Sequence, residues 1–291
     1  LDVSGEWELL PEDRAETIVY RRIGGYDLRL LLLRPDQSEP GSSPCIIFIH
    51  GGGFTGGEAE MLLPQCRWFA KRGFACVTAD YRLMKMEEER PAADSVTLDE
   101  CIADCKAAVR FVRRHADRWG IDPGRIVLAG ESAGGYLACA VSALHDLEAP
   151  GEDTTVSCVP DLLVAYNPIT QLAGKWGHWV QDAPLPDEPP VAEGEAARRL
   201  ARFRRARRLS PLWSLTERHP PLLIMHGLED AVVLPEDSAA YADKVSELGV
   251  EVRLELLPGS DHAFALFNYR ASDEEIGHAL ETTLKFVRRF W

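Results

Sequence analysis

No stretch of the 291-residue chain approaches the roughly 18 consecutive apolar residues that a membrane span requires, so no spanning segment is expected. Positive charge is in deficit. Against 46 acidic residues stand 32 lysines and arginines, a formal -14, which argues against a nucleic-acid partner. The cysteines lack pairing: seven is an odd number, and Cys45, Cys76 and Cys139 lie in apolar segments where a thiol behaves as a small hydrophobe. A disulfide framework is therefore not expected. Cys101 and Cys105 have no second pair or histidine to complete a zinc pattern, so no metal site is expected either. Internal repeats are absent. The chain opens at Leu1 without methionine or apolar leader, which would fit a signal peptide that was removed or one that was never encoded, and leaves the location open. The cytoplasm is the default compartment, and a secreted or periplasmic location is the alternative.

What remains is an ordinary soluble composition, 46% hydrophobic and 27% charged, in a length that suits one α/β domain over residues 1–291. Extended segments are read at Thr17 to Arg22, Asp27 to Leu33, Cys45 to Ile49, Ala75 to Ala79, Ile126 to Ala129, Leu162 to Ala165, Leu222 to Met225 and Val252 to Leu257. The first two form a hairpin through Gly24-Gly25. The later ones are short, apolar on both faces and separated by helical stretches, as buried parallel strands are. Helices are expected from Leu98 to Trp119 and from Asp273 to Phe290, each with one apolar stripe. A long irregular excursion, residues 170–219, separates the sixth and seventh strands. It holds Trp176, Trp179, an acidic proline-rich patch at Asp182 to Glu195, and seven arginines between Arg198 and Arg208.

Gly130-Glu131-Ser132-Ala133-Gly134-Gly135 sits between the fifth strand and a helix-prone stretch. A serine at such a sharp turn needs small residues two positions to either side, here Gly130 and Gly134. Asp230 follows the seventh strand and His262 the eighth. In an open parallel sheet, loops at the carboxyl ends of the strands gather along one edge, which would bring the three together. A serine hydroxyl is a weak nucleophile, so an imidazole must take its proton, the role of His262. A carboxylate must orient the ring, the role of Asp230. His50-Gly51-Gly52-Gly53 follows the third strand. An attacked carbonyl develops an oxyanion, and the amides of Gly52, Gly53 and Ala133 are expected to receive it, with His50 and Gly51 ordering the loop. Gly51, Gly53 and Gly56 also fit a dinucleotide-binding fingerprint, but that reading needs a helix at Gly56 and leaves Ser132, Asp230 and His262 unexplained.

In these motifs the chain resembles the α/β-hydrolase superfamily, and is similar to the hormone-sensitive lipase group of carboxylesterases and to bacterial acetyl-esterases of the acetylxylan-esterase kind. The resemblance rests on His50-Gly51-Gly52-Gly53-Phe54, Asp80-Tyr81-Arg82-Leu83, Gly120-Ile121-Asp122-Pro123-Gly124-Arg125-Ile126, the serine turn, Asp230 and Asp261-His262-Ala263-Phe264. It implies a mostly parallel eight-stranded sheet with helices on both faces and a lid-like insertion at residues 170–219. It also implies hydrolysis of short acyl esters, acetyl above all and including those of carbohydrates, through an acyl-serine without any cofactor. A peptidase or amidase, formamidase included, and a non-catalytic binding homologue are the alternatives on the same fold.

The match is not complete. Leu83 is followed by Met84-Lys85-Met86-Glu87 where the lipase group continues Ala-Pro-Glu, and about fifteen residues precede the first strand, short of that group's helical cap. A more open pocket is expected, lined by Phe54, Glu131, Trp176 and Trp179. The two tryptophans are read first as anchors of the insertion and second as a sugar or acyl wall. The arginines are read as a solvated face paired with the acidic patch, with attraction of an anionic polymer as the alternative. The apolar segment Phe286 to Trp291 offers a surface for a homodimer.

Overall fold

The computed structural model describes residues 15–35, 43–88, 90–92, 94–181, 194–267 and 269–291. Eight strands form one sheet: β1 (Glu16–Ile23), β2 (Tyr26–Leu33), β3 (Ser43–Ile49), β4 (Ala75–Ala79), β5 (Ile121–Glu131), β6 (Leu162–Tyr166), β7 (Leu222–Gly227) and β8 (Val252–Leu257). Their spatial order is β1-β2-β4-β3-β5-β6-β7-β8. The β1–β2 hairpin pairs antiparallel, β2 meets β4 antiparallel, and every pairing from β4 onward is parallel. β5 is longer than its apolar run because Ile121 pairs with Ser43 across a register shift. A separate two-stranded hairpin, Met86–Glu87 with Arg90–Pro91, carries no alternation that would reveal it in sequence.

Side chains alternate across the pleat, so each parallel strand feeds two apolar layers. Cys45, Ile47 and Ile49 of β3 join the layer under α2 (Leu98–Trp119), α3 (Ala133–Ala143) and α5 (Pro235–Glu247). Ile46 and Phe48 join the opposite layer, under α1 (Leu63–Ala70) and α6 (Asp273–Val287). The ends of α2 and α6 follow from local chemistry. Thr97 with Glu100 and Ser272 with Glu275 form capping boxes, and α2 stops where Gly120 takes a left-handed φ of 70°. All seven cysteines are free and buried. No helix among the described residues is long and apolar enough to cross a membrane.

The Asp80-Tyr81-Arg82 run braces the edge where the loops gather. Asp80 accepts from the Ala59 amide at 3.0 Å and from Arg29 at 2.7 Å. Arg82 reaches α2, bonding Asp104 at 2.7 Å and Glu100 at 2.7 Å. Burial pushes the Asp104 carboxyl up while Arg82 pulls it down, leaving it above the ordinary range. Removing one partner of so buried a pair strands the other. Asp104→Leu should cost roughly 3–5 kcal/mol, read from denaturant unfolding, because Arg82 keeps only Glu100.

His219, just before β7, is buried with each ring nitrogen satisfied: Nδ1 donates to the Pro220 carbonyl at 2.7 Å and Nε2 accepts from the Tyr241 hydroxyl at 2.9 Å. Burial holds its pKa down to about 4, against an ordinary 6.5. The unfolded chain therefore binds a proton that the folded one refuses. Stability from this neutral histidine is complete above about pH 6.5 and is lost as pH falls toward 4. Between pH 7 and pH 5 the wild type should lose about 2 kcal/mol more than His219→Phe, measured by urea unfolding at both pH values.

Candidate active site

The serine turn is built by close backbone approach. Ser132 sits at φ 54° and ψ -118°, between the end of β5 and the start of α3, a strained conformation costing about 1–3 kcal/mol. A Cβ on Gly130 would lie 2.2 Å from the Gly134 carbonyl oxygen, and one on Gly134 would lie 2.1 Å from that of Ile49. Backbone fills both spaces, so glycine is required at each. The Ser132 amide donates to the Tyr166 carbonyl at 3.0 Å, fixing the turn against β6.

Asp230 and His262 come from adjacent loops after β7 and β8. Gly227 lets those loops cross, since a Cβ there would lie 2.3 Å from the Ser260 carbonyl oxygen, and the Glu229 amide donates to that same oxygen at 3.0 Å. The three side chains then meet: His262 Nε2 is 2.9 Å from Ser132 Oγ, and His262 Nδ1 is 2.7 Å from Asp230 Oδ2. Asp230 Oδ1 accepts from the amides of Val232 at 2.8 Å and Val233 at 2.9 Å. Burial pushes this carboxyl up, but hydrogen bonds from His226, His262 and Val233 outweigh burial and hold it well below the usual carboxylate range. It stays ionised. A hydroxyl hydrogen-bonded to an imidazole, itself held by an ionised carboxylate, can pass its proton to the ring as the oxygen attacks a carbonyl.

The glycine loop lies alongside. Gly52 and Gly53 take φ of 106° and 59°, and the buried His50 stacks on Tyr81 with ring centroids 4.4 Å apart. His50 Nδ1 donates to the Gly51 carbonyl at 2.8 Å, while the Tyr81 hydroxyl donates to the His50 carbonyl at 3.1 Å. Burial lowers the His50 pKa, consistent with a neutral ring. Ala133 begins α3, with its amide at the positive end of the helix.

The expected pocket residues divide. Phe54 is fully buried and packs edge-on against Tyr136 and Trp179, with centroids 5.4 and 5.5 Å away. Trp179 lies over Gly53, where a Cβ would come 3.7 Å from its ring. It lines a cleft of about 500 Å³ with His178, Met86 and Glu88, while Trp176 packs partly buried against the core. Glu131 faces inward. It is 3% exposed, accepts from Asn167 Nδ2 at 3.1 Å, and its Oε1 lies 3.9 Å from His262 Nε2. Burial raises its pKa.

The acidic patch expected at Asp182 to Glu195 lies almost wholly outside the described residues. α4 (Glu195–Arg208) pairs Arg199 with Glu195, the last residue of that patch, and is tied to the body of the fold through Arg205 with Asp99 and Arg208 with Asp146. A second cleft, about 280 Å³, is lined by His178, Arg199, Arg202 and Phe203. Two residues of the site carried no role in the sequence reading. Asn167, at a left-handed φ of 37°, holds Glu131, and His226 bonds Asp230 Oδ2 at 3.1 Å. The only signal for His226 was its place four residues before Asp230 at a strand end.

Fold and site together define the class, an α/β-hydrolase. The chain belongs to the BD-FAE family, whose model matches residues 31–245. Over 255 residues it is 28% identical to Esterase LipC of Mycobacterium tuberculosis, covering 85% of this chain and 59% of that protein. It is 26% identical to an ethyl acetate hydrolase of Pseudomonas putida, covering 82% and 72%. Native Thermogutta terrifontis esterase 2 superposes with a TM-score of 0.79 at 30% identity, over 96% of this chain and 94% of that one. Its butyrate-bound form gives 0.79 at 31%, over 96% and 95%. The chain spans 59%, 52% and 64% of the length of LipC, LipM of the same mycobacterium and Lipase 2 of Moraxella.

At Gly51 the glycine loop closes on the serine turn. A Cβ there would lie 2.2 Å from Glu131 Oε2 and 3.0 Å from the Glu131 carbonyl oxygen. Gly51→Ala should therefore keep the far-UV circular dichroism of the wild type while lowering turnover of an aryl acetate by roughly 10² or more, the scale of losing one oxyanion donor.

Proposed function

We propose that the protein is a serine carboxylic ester hydrolase for short acyl chains, working through an acyl-serine intermediate. The observation that carries this reading is the unbroken hydrogen-bond chain from Ser132 Oγ through His262 to Asp230. As Oγ bonds to the ester carbonyl carbon, its proton passes to His262 Nε2, and the carbonyl oxygen becomes an anion facing the amides of Gly52, Gly53 and Ala133. Collapse breaks the bond to the alcohol oxygen, which leaves with the proton from the imidazolium. Water then repeats the sequence on the acyl-serine, releasing the carboxylic acid and restoring the Ser132 hydroxyl. Asp230 keeps Nδ1 protonated throughout and stabilises the imidazolium.

The close aromatic wall of Trp179 and Phe54 beside Gly53 supports a short acyl group. So do an ethyl acetate hydrolase among the relatives and a similar esterase solved with propionate and with butyrate bound. We read the described residues 167–181 of the connection between β6 and β7 as the cover of the cleft, with α4 beside them tethered to the body of the fold. Carbohydrates are the alcohol class we favour, with Trp179, which lines the cleft, as the stacking surface.

Ser132→Ala should abolish turnover of an aryl acetate with the fold intact, and Asp230→Asn should lower kcat by about 10⁴. Across aryl acetate, aryl butyrate and an aminoacyl anilide, acetate should be preferred. Retained activity in Ser132→Ala, or a preference for the anilide, would overturn the assignment.

A further inference from the structure

Asp230 is held from two sides by two histidines that reach the same oxygen. Oδ2 lies 2.7 Å from His262 Nδ1 and 3.1 Å from His226 Nε2, and the side chains of His226 and Asp230 are both 0% exposed. His226 Nε2 is also 3.0 Å from the Val233 carbonyl oxygen. Both neighbours of that nitrogen are acceptors, so Nε2 must carry a proton. His226 Nδ1 is 2.6 Å from the Oγ of Ser238, a fully buried residue in the first turn of α5. With the ring neutral, Nδ1 accepts and the Ser238 hydroxyl donates. Ser238 thereby selects the tautomer that His226 needs.

We propose that His226, set by Ser238, is a positioning residue that anchors Asp230 Oδ2 beside His262 and draws off part of the charge on that oxygen. This rests on the reading of Ser132, His262 and Asp230 given above. Three consequences follow from the geometry. Asp230 Oδ1 is already pinned by the Val232 and Val233 amides, so the His226 bond joins that of His262 in holding Oδ2 and the carboxylate against rotation about its last torsion. With its ring neutral, His226 donates this hydrogen bond without placing a second positive charge beside the imidazolium formed during acyl transfer. Its Val233 bond also ties the Asp230 loop back to β7, so the carboxylate moves with the sheet. Glu131 faces this cluster from the β5 end, with its Oε1 3.9 Å from His262 Nε2.

Removing the His226 donor should leave more charge on the oxygen that faces His262. The imidazolium is then better stabilised and His262 holds its proton to higher pH, so the acid limb of kcat/KM moves upward. At the same time the carboxylate is less well aimed and kcat falls. The test compares the wild type with His226→Leu, His226→Gln and Ser238→Ala on an aryl acetate across pH, with unfolding midpoints measured in parallel. In His226→Leu, kcat should drop roughly 10- to 100-fold, the scale of removing a group behind a reacting centre, with KM within about two-fold and the acid limb displaced upward. His226→Gln places an amide donor near the Nε2 position and should recover most of kcat and return the limb. Ser238→Ala should fall between the two.

A His226→Leu enzyme with wild-type kcat and an unmoved acid limb would overturn the proposal. So would equal impairment of His226→Leu and His226→Gln without a limb shift, which is the signature of lost packing alone. If His226→Leu fails to fold, the same two quantities in His226→Gln and Ser238→Ala decide: wild-type values in Ser238→Ala together with an impaired His226→Gln would count against it. Ser132→Ala, measured alongside, separates the two levels. Activity surviving in Ser132→Ala sinks the esterase assignment, whereas an inactive Ser132→Ala beside an unaffected His226→Leu sinks only the role of His226.

Discussion

A Cβ on Gly134 would fall 2.1 Å from the Ile49 carbonyl oxygen, and that missing atom sets how near α3 can come to the end of β3. The helix enters the sheet there at backbone-to-backbone distance. Ser132 is forced into its left-handed conformation as β5 reverses into α3, and the His50 to Gly53 loop leaves β3 immediately beside it. Nucleophile turn and glycine loop are thus two products of one close approach. Gly51 extends the same contact, since its missing Cβ makes room for the Glu131 carboxylate. Small residues at Gly51, Gly130 and Gly134 therefore define the site as much as the side chains that carry its chemistry.

Electrostatics sort the buried carboxylates around this approach. Asp230 receives donors from His226, His262, Val232 and Val233 and is held ionised well below the usual range. Glu131, with Asn167 as its side-chain donor, is pushed the other way by burial. The two acids thus lie on opposite sides of His262 with opposite tendencies. Farther out, Asp104 and Arg82 join α2 to the segment after β4. Tyr81 from that segment stacks under His50, so a buried ion pair steadies the glycine loop through one intervening ring.

Strand positions were legible because buried parallel strands are short apolar runs between helical stretches, and seven of the eight readings agree with the observed strands to within about two residues at each end. β5 was underestimated because of its first residues only Ile121 pairs, with Ser43, and Asp122 to Arg125 fall in the register shift before Ile126 without apolar alternation. The hairpin at Met86 escaped for a similar reason: two residues a side give no period. The arginines of α4 were expected to pair with the acidic patch nearby in sequence, most of which lies outside the described residues; Arg199 pairs with Glu195 at its end, while Arg205 and Arg208 pair with Asp99 and Asp146, which only folding brings near.

Sequence alone determined the sheet, the order Ser132, Asp230, His262 and the glycine loop, because each is written in local spacing: a period, a turn that needs glycine, a residue directly after a strand. Tertiary structure alone decided how those groups are aimed. That Gly227 permits the β7 and β8 loops to cross, that His226 shares Asp230 Oδ2 with His262, and that Glu131 turns inward to Asn167 are contacts between segments remote in the chain or fixed by side-chain direction. Such contacts depend on distances of about an ångström across packed layers, which spacing along a chain does not encode.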